Sequence, residues 1–569
     1  MQRYTVTLIG MGPRGLSVFE RLAAAALARQ LPLDIVVVDP GECGQGAHLA
    51  QQPPYLLINT LACQVTLFPA AGAVQHAPVC ATPTLTEWAR QAGIPVTDAD
   101  YLPRSLLGEY LGWCYAQIAA ALPACAALTH RRRLAIDLQR RQDGRCEVVL
   151  EDGSVVVSDF VCLTTGHGAG HAYPAQQLAH IAAGARVAIQ GLGLTAHDVI
   201  AGLTVGRGGS FVASGSGLRY LASGREPQLT LCSRNCLPYA ARGINQKGVD
   251  GRHQPRYFTL DAVAMLRRQS LIQRGTTQLD FERDLLPLLK REMAEVYRAT
   301  PGAAARDNDA LFAELLFPTQ DRQFASLAEF RRYFRDWLER DLAEARKGNV
   351  ASPTKAATDV LRDVRAVLQA VVEHGGLTPA SHRRYLAVYH PAINRTAFGP
   401  PLRRNEELLA LLDAGVIALH AGPGNSIDAH TLRTPFAQGV ECWTADVIVM
   451  ARLAGFSPKT DTSLLIRNVL QRGLVQPYYN GDFHPGGLAI NRAGQLLDAQ
   501  DKVQPELWAL GYPAEGPHYY TYALPRPQLR SRQVLDAEQC VMAMAATMEG
   551  HREDRQPYET MAAQVHGTV

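Results

Sequence analysis

None of the 11 cysteines in this 569-residue sequence stands in a Cys-x-x-Cys pair, which excludes a thioredoxin-like dithiol couple. Cys232 and Cys236 come closest, at the wrong spacing, and no second Cys or His pair stands at zinc-ligand distance along the chain, so no metal is expected. Long apolar runs are also missing. Nothing approaches the roughly 20 residues that span a bilayer, and no charged segment followed by an apolar one opens the chain as an export signal would. Scattered thiols then read as reduced cysteines of a cytoplasmic protein. Neither sign of charge dominates: 56 Lys and Arg face 53 Asp and Glu, a net +3. That is too little to imply a nucleic-acid or membrane partner. The basic run His130-Arg131-Arg132-Arg133 reads as the solvated face of a hairpin. A hydrophobic share of 47% and a charged share of 19% are those of an ordinary globular protein, and the length allows roughly two to four domains.

What is present begins at once. The apolar run Val6-Thr7-Leu8-Ile9 ends in Gly10-Met11-Gly12-Pro13-Arg14-Gly15, and a helix-like segment follows. Gly10 permits a tight turn, Gly12 lets backbone approach a pyrophosphate, and Gly15 lets helix and strand pack closely. Phosphates would sit at the helix N-terminus. A second apolar run, Ile35 to Val38, ends in Asp39, an acceptor for a ribose hydroxyl.

The pattern returns at Arg186-Val187-Ala188-Ile189-Gln190-Gly191-Leu192-Gly193-Leu194-Thr195-Ala196, with Ala196 in place of the third glycine. A later strand, Leu229 to Leu231, ends near Ser233-Arg234 rather than at an acid. A hydroxyl followed by a guanidinium suits a 2′-phosphate, hence NADPH over NADH. Two nucleotide folds in one chain imply a hydride relay, with FAD as the usual bound acceptor. Between them, Asp159 to Gly166 reads as a strand returning to the FAD half, whose Thr165-Gly166 turn passes the cofactor. The expected architecture is α/β, with two interleaved Rossmann-like dinucleotide-binding domains (FAD and NADPH) plus a helical insertion. The boundaries fall at 1–175 for the first part of the FAD domain, 176–256 for the NADPH domain and 257–378 for the insertion. Residues 379–569 complete the NADPH domain and return to the FAD domain.

With these motifs in view, the chain resembles the bacterial FAD/NAD(P)-binding protein family, related to NADPH-dependent flavin monooxygenases. The resemblance rests on the two glycine motifs, Gly44-Gln45-Gly46-Ala47, Leu57-Ile58-Asn59-Thr60, Ser223-Gly224-Arg225-Glu226-Pro227, Ser233-Arg234, Phe398-Gly399-Pro400-Pro401 and Leu510 to Gly516. It implies that the Gly46 to Gln64 loop lies against the flavin, with Asn59 and Gln64 as amides facing its reactive edge. It also implies that Gly511, Glu515, Gly516, Tyr520 and Thr521 form a strand-to-helix turn closing over the flavin. The activity implied is NADPH-dependent oxygenation, through a flavin hydroperoxide, of a small nucleophile. An amino acid's amino group is preferred, with aspartate as one specific candidate. Molecular oxygen and a small-molecule substrate are the partners. Two related patterns are absent: Phe-x-Gly-x-x-x-His-x-x-x-Trp and the ornithine hydroxylase substrate motif. A flavin dehydrogenase or oxidase, or a non-catalytic redox sensor, are the alternative readings.

Between about Thr259 and Gly376 the periodicity is helical. Phe330, Phe334, Trp337, Leu338 and Leu342 form one stripe, and Leu361, Val364, Val367, Leu368 and Val371 another. Ser352-Pro353 reads as a helix start. This insertion would roof the site or serve as a homodimer surface. Arg242 and Arg395, with Arg403 and Arg404, are candidates for a substrate carboxylate. His48 and His390 are candidates for proton transfer, or packed residues only.

Overall fold

The computed structural model describes residues 3–167, 178–215, 217–453 and 455–566; the expected boundary at 175/176 lies outside them. Strands Tyr4–Ile9 and Leu33–Val38 run parallel, in register from Tyr4 opposite Leu33 to Ile9 opposite Val38. Both are covered on both faces, which is why each reads as an apolar run rather than an alternation. The helix between them, Pro13–Arg29, starts on a proline whose fixed φ suits the first helical position. It buries Leu16, Phe19 and Ala23 in the core of this sheet.

Six strands complete the sheet, in the order Gln495–Leu497, Val503–Ala509, Phe160–Leu163, Tyr4–Ile9, Leu33–Val38, Ala126–Arg131. All pair in parallel except Gln495–Leu497. The basic run after Thr129 therefore finishes a parallel edge strand and is not a hairpin. Its solvated character holds, because Arg132 and Arg133 pair with Glu42 and Asp152 at the surface.

A second parallel sheet runs Gln228–Cys232, Arg186–Gln190, Val447–Met450. Of the apolar runs in the stretch 379–569, the strand at Val447 completes the second sheet: it lies beside the second glycine motif, Val447 opposite Val187 and Met450 opposite Gln190. The return to the first sheet comes at Val503–Ala509, where Leu507 faces Val161 and Ala509 faces Leu163. The fold is α/β, with two interleaved dinucleotide-binding halves.

Helices dominate from Leu260 to Asp413, and the two apolar stripes part company. Phe330, Phe334, Leu338 and Leu342 of the helix Leu327–Lys347 pack with Val187 and Ile189, inside the core of the second sheet. Leu361, Val364, Leu368 and Val371 build a separate helical core that also takes in Tyr519 and Tyr520. Ser352 caps the helix Pro353–Asp363, accepting the Lys355 N–H at 3.0 Å. Among the described residues no helix is long and apolar enough to cross a membrane.

Candidate active site

Gly10 has φ +94, and a Cβ there would stand 3.0 Å from the Thr164 carbonyl, so only glycine lets the first turn close. At Gly15 a Cβ would fall 2.2 Å from the Gly10 oxygen, and helix and strand could not meet. Gly12 caps the helix without a side-chain hydrogen bond, leaving first-turn N–H groups for an anion. Its Cβ would stand 3.2 Å from the Gly46 Cα, so the Gly46 loop lies directly against this turn. The Thr164 hydroxyl donates to the Gly10 carbonyl at 2.6 Å, fastening the Thr165-Gly166 turn to the motif. Asp39 accepts the N–H groups of Met11 (2.6 Å) and Gly41 (2.7 Å). A carboxylate has about four acceptor positions, so it braces the turn and retains capacity for a ribose hydroxyl. In the first helical turn, Arg14 is lowered to about 10 by burial. Its guanidinium donates to the Ala523 carbonyl at 3.3 Å. Narrow glycine contacts, an uncapped helix start and a spare acceptor fit the adenosine diphosphate half of FAD.

The second motif repeats the arrangement. Gly191, at φ +121, has room only for hydrogen beside the Ala451 carbonyl (2.6 Å from a Cβ). Gly193 caps the helix Leu194–Leu203, again with no side-chain hydrogen bond. Thr195 and Ala196 fall in its first turn, Ala196 buried against the sheet. Arg234 follows the strand Gln228–Cys232 and is exposed, with one N–H on the Ala387 carbonyl at 3.0 Å. Its remaining donors are suited to a phosphate. The Ser233 hydroxyl accepts the Cys236 N–H at 3.1 Å.

The late segment departs from the expected strand-to-helix turn. After Val503–Ala509 comes one 3-10 turn, Tyr512–Ala514, and the final helix begins only at Arg532. The helix start still reaches the first motif, through Gln533 donating to the Pro13 carbonyl (2.7 Å) and Ser17 Oγ (2.8 Å). What organises the loop is Glu515. It accepts the N–H of Tyr520 (3.1 Å) and both the N–H and hydroxyl of Thr521 (2.7 and 2.6 Å). These bonds hold Tyr520 at φ 57, left-handed for a bulky residue. Burial pushes the Glu515 carboxyl upward. Gly511 leaves space for the Arg14 side chain, and Gly516 for the Gly486 carbonyl.

Both motifs open onto one cleft of about 2060 Å³. Asp39, Gly46, Asn59, Gln64, Thr165, Ser233, Arg234, Glu515, Tyr520 and Thr521 line it. Gly15, Ala196, Gly511 and Gly516 stand behind its wall. Gln64 is turned so that its amide donates to the Gly248 carbonyl at 3.1 Å.

The cleft also gathers arginines from three distant segments: Arg242, Arg362 with Arg365, and Arg526. Arg362 has an acid, Asp359. Lys247 takes Asp359 and Asp363 at 2.6 and 2.7 Å. Among the described residues, Arg242, Arg365 and Arg526 form no ion pair with a carboxylate. Arg242 donates to the Gly399 carbonyl (3.2 Å) and Arg526 to that of Val249 (2.9 Å). The Nε of Arg365 and of Arg526 is buried without a partner. Burial and then Arg362 lower Arg242 to about 9; burial, then Arg362 and Arg365, lower Arg526 to about 10. Arg365 lies over the rings of Phe398 (5.0 Å) and Tyr520 (5.8 Å). Of the sequence candidates, Arg242 belongs to this group. Arg395 touches the cleft, but its guanidinium donates to Leu315 and Leu316 carbonyls at 3.0 and 3.1 Å. Arg403 and Arg404 pair with Glu407. Sequence reading missed Arg362, Arg365 and Arg526. Their one local signal is the i, i+3 spacing of Arg362 and Arg365 on the polar side of an apolar stripe.

Two dinucleotide folds around one cleft, with unmatched cations in its wall, define a flavin- and nicotinamide-dependent oxidoreductase. Residues 7–168 match the FAD-NAD(P)-binding family model. An L-aspartate N-monooxygenase (nitrosuccinate-forming) of Streptomyces davaonensis is 35% identical over 96% of this chain and 98% of its own length. One from Streptomyces cremeus is 34% identical over 96% and 95%, and the nitrosuccinic acid synthase of Aspergillus oryzae 30% over 96% and 93%. Ornithine hydroxylase from Pseudomonas aeruginosa is a distant structural likeness, with a TM-score of 0.41 at 12% identity over 96% of this chain and 99% of its own. The chain belongs to the L-aspartate N-monooxygenase family and is an FAD-dependent monooxygenase.

Proposed function

We propose that this enzyme oxidises the amino group of L-aspartate, with NADPH as electron donor and molecular oxygen as co-substrate, to an N-oxygenated succinate. The observation that carries the reading is the trio Arg242, Arg365 and Arg526, three guanidiniums in the cofactor cleft that have no carboxylate partner among the described residues. Half-buried cations without a carboxylate favour anionic partners, and guanidinium forks match carboxylates in geometry as well as charge. A dicarboxylic amino acid supplies two. The relatives named for aspartate point the same way.

When bound, FAD supplies the two-electron chemistry that takes up hydride and makes oxygen electrophilic. The chain's own residues do the rest. Arg242, Arg365 and Arg526 fix both carboxylates, and the Phe398 and Tyr520 rings beneath Arg365 keep water from the guanidinium. Asn59 presents its amide along the flavin-facing loop, which Gln64 braces by donating to the Gly248 carbonyl. Ser233 and Arg234 take the 2′-phosphate that distinguishes NADPH. All eleven cysteines are free, which fits a reducing, cytoplasmic setting.

The test is NADPH consumption and product analysis by the FAD-loaded enzyme with L-aspartate, L-asparagine and L-glutamate. L-aspartate should accelerate consumption and give hydroxylamine, nitroso or nitro products, while L-asparagine, one carboxylate short, should not. Slow consumption that yields only hydrogen peroxide with every amino acid would overturn the reading.

A further inference from the structure

From the wall of the cleft an unbroken chain of side-chain hydrogen bonds runs inward. The Tyr520 hydroxyl donates to Asn394 Oδ1 at 2.7 Å. Asn394 Nδ2 meets His390 Nε2 at 2.8 Å. His390 Nδ1 meets the Tyr519 hydroxyl at 2.6 Å, and that hydroxyl meets Tyr385 at 2.8 Å. An amide nitrogen can only donate, so Nε2 accepts and the imidazole proton resides on Nδ1, directed to Tyr519. Burial lowers His390 to about 4, so the ring is neutral at neutral pH.

The chain couples the orientation of the Asn394 carboxamide to the tautomer of His390. Rotating it would keep these contacts only if the imidazole moved its proton to Nε2 and the Tyr519 and Tyr520 hydroxyls reversed their roles at the same time. Once locked, the carboxamide oxygen has one lone pair on Tyr520 and one free. Asn394 is half-buried and, with His390 and Phe398, lines the cleft. Phe398 stands four residues beyond Asn394, at the C-terminal cap of the helix His390–Ala397, and carries Arg365 over its ring.

We propose that Asn394 is the hydrogen-bond acceptor for the substrate's amino group, and that Tyr520, His390 and Tyr519 are positioning residues that lock its carboxamide in the accepting orientation. The proposal rests on the reading of the substrate as L-aspartate. It assigns the amine a partner that cannot take up a proton, so the nitrogen is oriented without being held as a salt-bridged ammonium.

Succinate tests it, being L-aspartate without the amine. Dissociation constants for L-aspartate and succinate are measured by calorimetry on the FAD-loaded enzyme with NADP⁺ present, for the wild type, Asn394→Leu, Asn394→Asp and Tyr520→Phe. The wild type should prefer L-aspartate. Asn394→Leu should lose about 10-fold or more of that preference with succinate affinity unchanged. Asn394→Asp, which keeps an oxygen for Tyr520 and the amine, should retain it. Tyr520→Phe should lose part of it by freeing the amide to rotate. Equal weakening of both ligands in Asn394→Leu would mean a structural role and overturn the proposal. So would an unchanged preference, or a loss confined to NADP⁺ affinity. If the substrate reading itself is wrong, the wild type binds neither ligand, and the proposal falls with it.

Discussion

At the scale of single residues, two arginines that look alike in sequence should separate in their effects. Arg234 is exposed at the end of the strand that follows the second glycine motif, with one N–H occupied by a carbonyl. Arg365 is half-buried over two rings, with its Nε unpartnered. Charge-assisted hydrogen bonds contribute roughly 1.5–3 kcal/mol each, about 10-fold to 100-fold in binding. Arg365→Ala should therefore raise KM for the amino acid by that factor and leave KM for NADPH alone. Arg234→Ala should do the reverse, weakening NADPH far more than NADH. Steady-state kinetics with each substrate varied in turn decides it, and crossed effects would refute both assignments. The sequence placed Arg234 correctly relative to a strand end because one local motif contains both. Arg365 and Arg526 carry no such mark, since they meet only through tertiary packing across some 160 positions of chain.

Among the elements, what could be read beforehand was whatever a single segment determines. The glycine turns declare themselves because no other residue fits beside Thr164 or Ala451. Ser352-Pro353 declares a helix start by its own capping chemistry. The destination of a buried parallel strand is another matter. Val447–Met450 and Val503–Ala509 are both apolar runs, and nothing within either says which sheet it joins. That is set by long crossovers and by which neighbour offers a free edge. A similar long-range tie holds the loop before the helix Leu260–Arg274. Glu292, on the helix Leu286–Ala299, is 0% exposed. It accepts His253 Nε2–H at 2.6 Å and the N–H groups of Arg256, Tyr257 and Phe258 at 2.9, 2.7 and 3.0 Å. Burial pushes its pKa up, but His253 and these N–H groups outweigh burial and hold it below the ordinary value. The same loop offers the Gly248 and Val249 carbonyls to Gln64 and Arg526. Glu292→Gln should cost about 3 kcal/mol at pH 7, measured by denaturant unfolding. Because the folded pKa is depressed, that advantage exists above about pH 4.3 and shrinks as pH falls through the folded value. An advantage that stayed constant down to pH 3 would contradict the ionised assignment.

For the molecule as a whole, the interlocking of the two halves leaves several histidines stranded in the interior. His197 lies under the second glycine motif, and burial, then Arg404, lower it to about 3. His382 sits in the helical region, lowered to about 4 by burial. His518 stands where the late loop meets His374 and Arg532, and burial first, then the Arg532 charge, take it well below the usual value. All three are under 9% exposed. In the unfolded chain each would titrate near 6.5. Between that value and the depressed folded ones, the unfolded state binds protons that the folded state refuses, so stability must drop as pH falls. One proton corresponds to about 1.4 kcal/mol per pH unit, and three histidines act together over much of the interval from 6.5 to 4. The melting temperature should therefore decline steeply from about pH 6 downward, before the carboxylates protonate. His382→Gln should flatten the decline, because its removal takes one proton from the linkage while Asn480 keeps a partner for its amide. Scanning calorimetry from pH 8 to 4.5 on the FAD-loaded wild type and this variant tests the point. Parallel profiles for the two proteins would show that His382 is charged in the folded state, against the neutral, closely packed interior described above.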